Sequence, residues 1–485
     1  MAGIGFELRK LLRKDSFLAD VSAYLYAALI SSGPWLMSIL CLSILGLYRQ
    51  TGFPPEKQEI FRSTVIYTYA LSIVFIGGVQ LVVTRYLADL LYAKEHRHTL
   101  RAFFTSALWV LAGGTAFAAL FYRSFALSPL YKAVAVILFQ VTCLIWLAMI
   151  FVSAVKDYKS IVYAFAVGTA VSVLAAIGLD RVFPYDGYLM GFTLGQAVIL
   201  FWLVSCLLTE FPAAGLWDRG LVRHFRRYWD LACIGLAYNL AIWVDKVVFW
   251  FAPDSRLIAP WFRTHDIYEA PVFFAYLSIV PTLAVFLIKI ETKFYEHYQR
   301  YYAKIMGNQS LSSILEEKRL MVAMLQENFR EVFVLQGAIT GLGIIFAKPL
   351  LAAVKLIPLQ APLLRVALIG AFLQALLSIN IIILFYFDLR KRVLALSLLF
   401  LVLNTGLSWW STRLGFQFYG YGYCYASLVT FAASFWVLSR SLEDLEYITF
   451  AKQPLAWRRP PARKGRHDPD HLPRHRLRRI RRQPP

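Results

Sequence analysis

Asp245 and Lys246 stand side by side inside the apolar run 229–252. Charge at membrane depth is costly, so such residues are functional candidates by default. Neighbours on a helix point about 100° apart, which predicts that the two do not share one partner. Lys246 shares a stripe with Asn239, Trp243 and Trp250, a polar and aromatic face suited to line a cavity. Asp245 falls with Tyr238 and Phe249. The bland alternative is that both charges lie near the surface and snorkel out to it. Glu291 closes the next apolar run, just after Lys289, and joins Asn239, Trp243, Asp245 and Lys246 as a candidate on a transport path. An interfacial carboxylate without a function fits its position equally.

The run Phe416, Phe418, Tyr419, Tyr421, Tyr423, Tyr425 is denser in aromatics than a membrane-interface belt requires. Sugar rings offer apolar CH faces and polar edges, and aromatic rings bearing hydroxyls match both. Tyr419, Tyr421, Tyr423 and Tyr425 are therefore candidate sugar-stacking residues at an outer mouth, with the belt as the alternative. Gln80, Gln140, Gln196, Gln336, Gln374, Asn380 and Asn404 are scattered through apolar runs. Interhelical hydrogen bonding accounts for such amides, and a subset could line a hydrophilic path.

Other chemistries lack their residues. The eight histidines lie outside the apolar runs, and the five cysteines show no metal-ligand spacing. There is no Walker loop. The sequence predicts no metal, no cofactor and no enzyme.

The elements that must position these residues are membrane spans. Hydrophobic residues make up 59% of the 485 and charged residues only 16%, with a mean hydropathy of +0.57. A soluble domain needs about a quarter charged residues, so soluble classes are excluded. A span needs about 20 apolar residues, and twelve runs qualify: 21–47, 62–83, 102–122, 133–154, 160–179, 188–208, 229–252, 270–290, 332–347, 366–387, 393–411 and 418–439. The first contains Gly33-Pro34 and should kink; the ninth is short and could extend through Leu351. With the N-terminus inside, 37 bases fall on cytoplasmic segments and 12 on outer loops, which puts both termini in the cytoplasm.

Six spans lie on either side of the linker 209–228, predicting lobes at 21–208 and 229–439. The long loop 291–330 is charged and helix-favouring. An offset of 208 places Thr84-Arg85-Tyr86 on Thr292-Lys293-Phe294 and the second span on the eighth. Parallel repeats of this kind build two lobes around a cleft, the geometry of alternating access. Residues 1–20 are amphipathic and basic. The segment 440–485 ends in an Arg- and Pro-rich tail predicted to be disordered, with twelve bases against two acids from Lys452 onward. Both termini should meet anionic lipid. No fold accompanies the bases, so no nucleic acid is expected.

Several motifs add a resemblance. Gly3-Ile4-Gly5-Phe6-Glu7-Leu8-Arg9-Lys10 resembles the start of the PelG family, inner-membrane transporters of Pel exopolysaccharide systems. So do Leu29-Ile30-Ser31-Ser32-Gly33-Pro34-Trp35, Ile242-Trp243-Val244-Asp245-Lys246, Phe273-Phe274-Ala275-Tyr276-Leu277-Ser278 and Glu291-Thr292-Lys293-Phe294. The likeness spans about residues 1–450; the Arg-rich tail lies beyond it. It implies an all-α polytopic fold of twelve transmembrane helices in two six-helix lobes, like MATE transporters of the multidrug, oligosaccharidyl-lipid and polysaccharide (MOP) superfamily. It further implies a bacterial inner-membrane location, a galactosamine-containing polymer N-acetylated as made, and as partners a Pel glycosyltransferase and other Pel inner-membrane subunits. Nascent polymer export is the expected function. The alternatives are a flippase for a lipid-linked saccharide, an ion-coupled small-molecule exporter, and a non-transporting scaffold for the glycosyltransferase.

Overall fold

The computed structural model describes residues 41–45, 55–155, 158–184, 186–212, 215–260 and 262–450. The first predicted span lies outside the described residues except for the helical turn 41–45. The amphipathic N-terminus and the tail from residue 451 lie outside them entirely.

Nearly all of the described chain is helix, because a segment in lipid must satisfy its backbone polar groups internally. The helices α1 (Pro55–Tyr92), α2 (Arg97–Arg123), α3 (Pro129–Val155), α4 (Tyr158–Asp180) and α5 (Gly187–Glu210) cover the second to sixth predicted spans. A short helix, α6 (Arg219–Arg227), occupies the linker. The seventh span is α7 (Trp229–Trp250). A hairpin of β1 (Arg256–Ala259) and β2 (Phe262–Thr264) follows. Next come α8 (Asp266–Leu277), α9 (Val280–Lys289), a π turn at Ile290–Phe294, α10 (Tyr295–Met306), α11 (Leu311–Ile345) and α12 (Ala347–Ala353). The final helices are α13 (Ala361–Tyr386), α14 (Arg390–Leu414), α15 (Tyr421–Glu443) and α16 (Leu445–Phe450).

Among the described residues, ten helices or helix pairs are long and apolar enough to cross a membrane, or eleven if α11 and α12 form one span bent by 73°. Proline explains both breaks. Its ring clashes with the carbonyl four residues back. Pro349 aims at residue 345, where α11 stops, and Pro281 aims at residue 277, where α8 stops. The ninth span thus continues past its short apolar core, but with a sharp turn. The loop 291–330 is helical through α10 and the first half of α11. Glu317, nearly buried, holds the two together by pairing with His297 at 2.8 Å and Lys304 at 3.0 Å.

The chain divides into two compact units at Arg440. In the second, the described residues are the last turn of α15 and α16, with Arg440 paired to Glu443 at 3.3 Å. In the first, the helices α1 and α7 run antiparallel and pack along most of their length. Tyr67 stacks on Trp250 with ring centroids 4.0 Å apart. Further along, the Asn239 amide donates to the Ile73 carbonyl at 2.9 Å. Gly77 then meets Gly235, where a Cβ on Gly77 would lie 2.6 Å from the Gly235 carbonyl oxygen. Beyond it the Arg85 guanidinium sits 5.7 Å from the Tyr228 ring. Small residues permit this backbone contact, which lipid cannot drive by hydrophobicity alone.

Ion pairs fasten both ends of the seam. At the hairpin end, Arg256 pairs with Glu59 at 3.0 Å and Arg62 with Asp266 at 2.5 Å. At the linker end, His224 meets Asp89 at 3.1 Å, Arg85 meets Asp388 at 3.7 Å, and Arg390 meets Asp230 at 2.9 Å. Segments that the charge count assigns to one side of the membrane therefore meet one another.

Candidate functional site

The polar centre lies where α7, α8, α13 and α15 meet. Asp245 is fully buried and Lys246 only 7% exposed, so neither snorkels. The two residues do not converge on a common third group; they bond to each other. The long lysine chain curls back, placing Nζ 3.0 Å from the Asp245 Oδ1 and donating to the Ile242 carbonyl at 3.0 Å. Four methylenes supply a reach that the 100° offset between neighbours does not block.

Each member of the pair has further partners. The Tyr268 hydroxyl donates to the Asp245 Oδ2 at 2.8 Å, and the Tyr268 ring stacks on Phe249 at 3.6 Å. The Lys246 ammonium lies 4.1 Å from the centre of the Tyr276 ring, 5.6 Å from Tyr423 and 5.7 Å from Trp243. Three aromatic faces around a desolvated ammonium stabilise it through their quadrupoles. The hydroxyls of Tyr276 and Tyr423 both donate to the Gln374 Oε1, at 2.8 and 2.6 Å. Tyr238 and Ser378 share a bond of 2.7 Å nearby. A carboxylate, an ammonium, an amide and four phenols thus form a nearly self-satisfied polar cluster inside an apolar fold. A buried pair of this kind is tolerable only with such supporting hydrogen bonds.

The sequence pattern of the PelG family, described as an exopolysaccharide exporter (EPS-E), matches residues 1–450. The chain belongs to the PelG family. No curated protein matches it by sequence. The fold of this PelG-family chain is similar to an outward-facing MATE multidrug-resistance transporter of the MOP superfamily, at 13% identity and a TM-score of 0.60, covering 87% of this chain and 95% of that one. It is also similar to a MOP superfamily transporter from Pyrococcus furiosus, at 12% identity and a TM-score of 0.57, with the same coverage. An inward-facing MATE transporter matches equally, at 12% identity and 0.57. The protein is a multi-pass membrane protein with a MATE-like transporter fold.

The PelG-family fold sorts the remaining sequence candidates. Asn239 and Trp250 turn toward α1, away from Lys246, so the stripe read along α7 divides between two neighbours. Trp250 also donates to Glu269 at 2.7 Å. Glu291 falls in the π turn, and its side chain lies outside the described residues. The aromatic run also splits. Tyr423 is buried on Gln374; Tyr419, 4% exposed, donates to the Asp254 Oδ2 at 2.7 Å. Tyr421 and Tyr425 face outward, at 38% and 52% exposed. Burial raises the cost of charging Asp254, yet the Tyr419 hydrogen bond and the His265 ring at 3.1 Å outweigh it and hold the carboxyl below its usual range.

Six of the seven amides hydrogen-bond across helices. Gln140 reaches the Leu111 carbonyl, Gln196 accepts from Tyr69, and Gln336 joins Thr282. Asn380 reaches Ser434 and Asn404 the Ala241 carbonyl, while Gln374 takes the two phenols. Sequence reasoning missed Tyr268 and Tyr276 as partners of the pair. Their signal was two hydroxyl-bearing aromatics about two turns apart on one helix.

Proposed function

We propose that this protein carries nascent Pel-type exopolysaccharide, a polymer containing N-acetylgalactosamine and galactosamine, across the bacterial inner membrane. The observation that carries the reading is a PelG sequence pattern running through residues 1–450 on a MATE-like fold. Two six-helix lobes, 21–208 and 229–439, bracket the path, and both termini are cytoplasmic. A Pel glycosyltransferase and other Pel inner-membrane subunits work beside it, and anionic lipid holds the basic N-terminus and tail.

The path runs past the cluster of Asp245 and Lys246, with Asn239, Trp243 and Glu291 on its course. Tyr421 and Tyr425 offer rings to sugars at the outer mouth, with Tyr419 and Tyr423 holding that region together. A neutral polymer gains nothing from the membrane potential, which supplies about 2.3 kcal/mol per charge per 100 mV. Drive then comes from polymerisation in the partner enzyme or from an ion coupled through Asp245 or Glu291. The small number of charges at depth, paired where they occur, supports an uncharged cargo.

The deciding experiment places the purified protein in sealed proteoliposomes, with the glycosyltransferase and labelled UDP-sugar on the cytoplasmic face. Polymer protected inside the vesicles, dependent on this chain and on no lipid-linked acceptor, is the expected outcome. Polymer made wholly outside, despite correct insertion and partner binding, would overturn it.

A further inference from the structure

An apolar groove of about 500 Å³ opens between α8, α11, α12 and α13. That volume lies within the roughly 300–1,000 Å³ typical of ligand sites. Phe274 and Leu277 form one wall, Leu342, Phe346 and Leu350 follow the 73° bend, and Leu368 closes the far side. Leu342, Phe346 and Leu350 are each about half exposed, so the groove opens sideways, away from the protein interior. One polar side chain, Ser278, reaches its wall. That hydroxyl already donates to the Ala275 carbonyl at 2.6 Å and accepts from the Gln336 amide at 3.3 Å. The groove therefore offers a sugar almost nothing to bond.

Its rim is cationic. The Arg365 Nε donates to the Ile344 carbonyl at 3.2 Å, which sets the guanidinium between lining residues of α11 and of α13. Lys348 and Lys355 are exposed on and just after α12. Residues 346–365 contain these three bases and no acid. Among the described residues, no carboxylate lies within ion-pair distance of any of them. This segment belongs to the side that the charge count assigns outward, so the excess of cations on cytoplasmic loops does not account for it.

We propose that the groove holds an acyl chain of a membrane phospholipid, with the lipid phosphate at Arg365 and near Lys348 and Lys355. An apolar slot open to the bilayer takes the chain, and unpaired cations at its rim take the anionic head. This is a lipid site apart from the transport path, and it holds whatever cargo the path carries.

The test reconstitutes the full-length protein in vesicles of phosphatidylglycerol and phosphatidylcholine and counts retained lipids by native mass spectrometry. Wild type is expected to retain phosphatidylglycerol preferentially. Leu342→Trp, which fills the slot, should cut retention of both lipids about tenfold. Arg365→Gln should cut phosphatidylglycerol alone by a similar factor, as expected for losing one charge-assisted hydrogen bond. Lys348→Gln with Lys355→Gln alters only exposed side chains, so it decides the matter if the other variants fail to fold; it should lower the preference severalfold. An unchanged preference in that variant, or unchanged retention in a folded Leu342→Trp, overturns the proposal. So does displacement of the phospholipid by a lower concentration of undecaprenyl phosphate, which would make the groove a carrier-lipid site.

Discussion

Lys246 neutralises the residue that precedes it: its Nζ lies 3.0 Å from the Asp245 Oδ1, and both side chains are buried. Removing one member leaves the other charged at depth, at a cost of about 3–5 kcal/mol. Asp245→Asn and Lys246→Met should each destabilise by that order in detergent, with the double variant costing less than the sum of the two. Thermal and chemical unfolding across the four-member cycle measures it. An additive cycle would show that the pair does not interact.

Gln374 anchors two phenols. Gln374→Leu removes the shared acceptor of the Tyr276 and Tyr423 hydroxyls, and Tyr276 keeps its longer bond to Ile242, at 3.3 Å. Each buried group left unsatisfied costs about 1–3 kcal/mol. Tyr423→Phe should therefore be milder than Gln374→Leu, and should partly rescue it when combined. Unfolding midpoints of the three variants test this order.

The contact of Gly77 with Gly235 has no room for a methyl group. Gly235→Ala should cost about 1–3 kcal/mol through overpacking. By contrast, a Cβ at Gly337 meets nothing within 4 Å. Gly337→Ala sits within α11 and should be neutral or stabilise by up to about 1 kcal/mol. Equal effects from the two substitutions would contradict the close crossing of α1 and α7.

Asp254 titrates low, so the sign of its pH effect is fixed. A depressed carboxyl adds stability that is complete above the unfolded value of about 3.9, and loses it as pH falls through the folded one. The side chain is 44% exposed, and screening keeps the effect to about 1 kcal/mol or less. Asp254→Asn should flatten the acid limb of a stability–pH curve below about pH 4 and leave neutral-pH behaviour nearly unchanged. A wild-type acid limb retained in the variant would assign that limb to other carboxyls.

Tyr421 and Tyr425 separate stacking from structure. Both face outward, so Tyr421→Ala and Tyr425→Ala should leave stability within about 0.5 kcal/mol of wild type. Polymer protection in proteoliposomes should nevertheless fall severalfold. Full protection in the double variant would remove these rings from the proposed path.

Much of this protein was legible in its sequence. Spans are written in runs of about twenty apolar residues, since lipid tolerates only backbone that satisfies itself. The eleven runs from 62 onward each meet a helix or a bent pair, and Pro281 and Pro349 mark where two of those spans break. Asp245 and Lys246 stood out because charge is rare at depth, and the family was readable from short motifs.

Tertiary structure decided what those residues touch. Periodicity gave the directions along α7 from the backbone alone, and so it separated Asp245 from Lys246 and joined Lys246 to Asn239. A lysine with four methylenes is not bound by the direction of its Cβ. It follows the partners within its reach, here the Asp245 carboxylate beside it and the Tyr276 and Tyr423 rings that two other helices bring. The aromatic run after Phe416 shows the same limit. Alternate tyrosines fall on opposite faces once α15 begins, and only the packing of α13 and the Asp254 loop buries one pair and exposes the other. Spans follow from the chain's own chemistry against lipid, but a polar cluster at depth exists only where several helices converge on it.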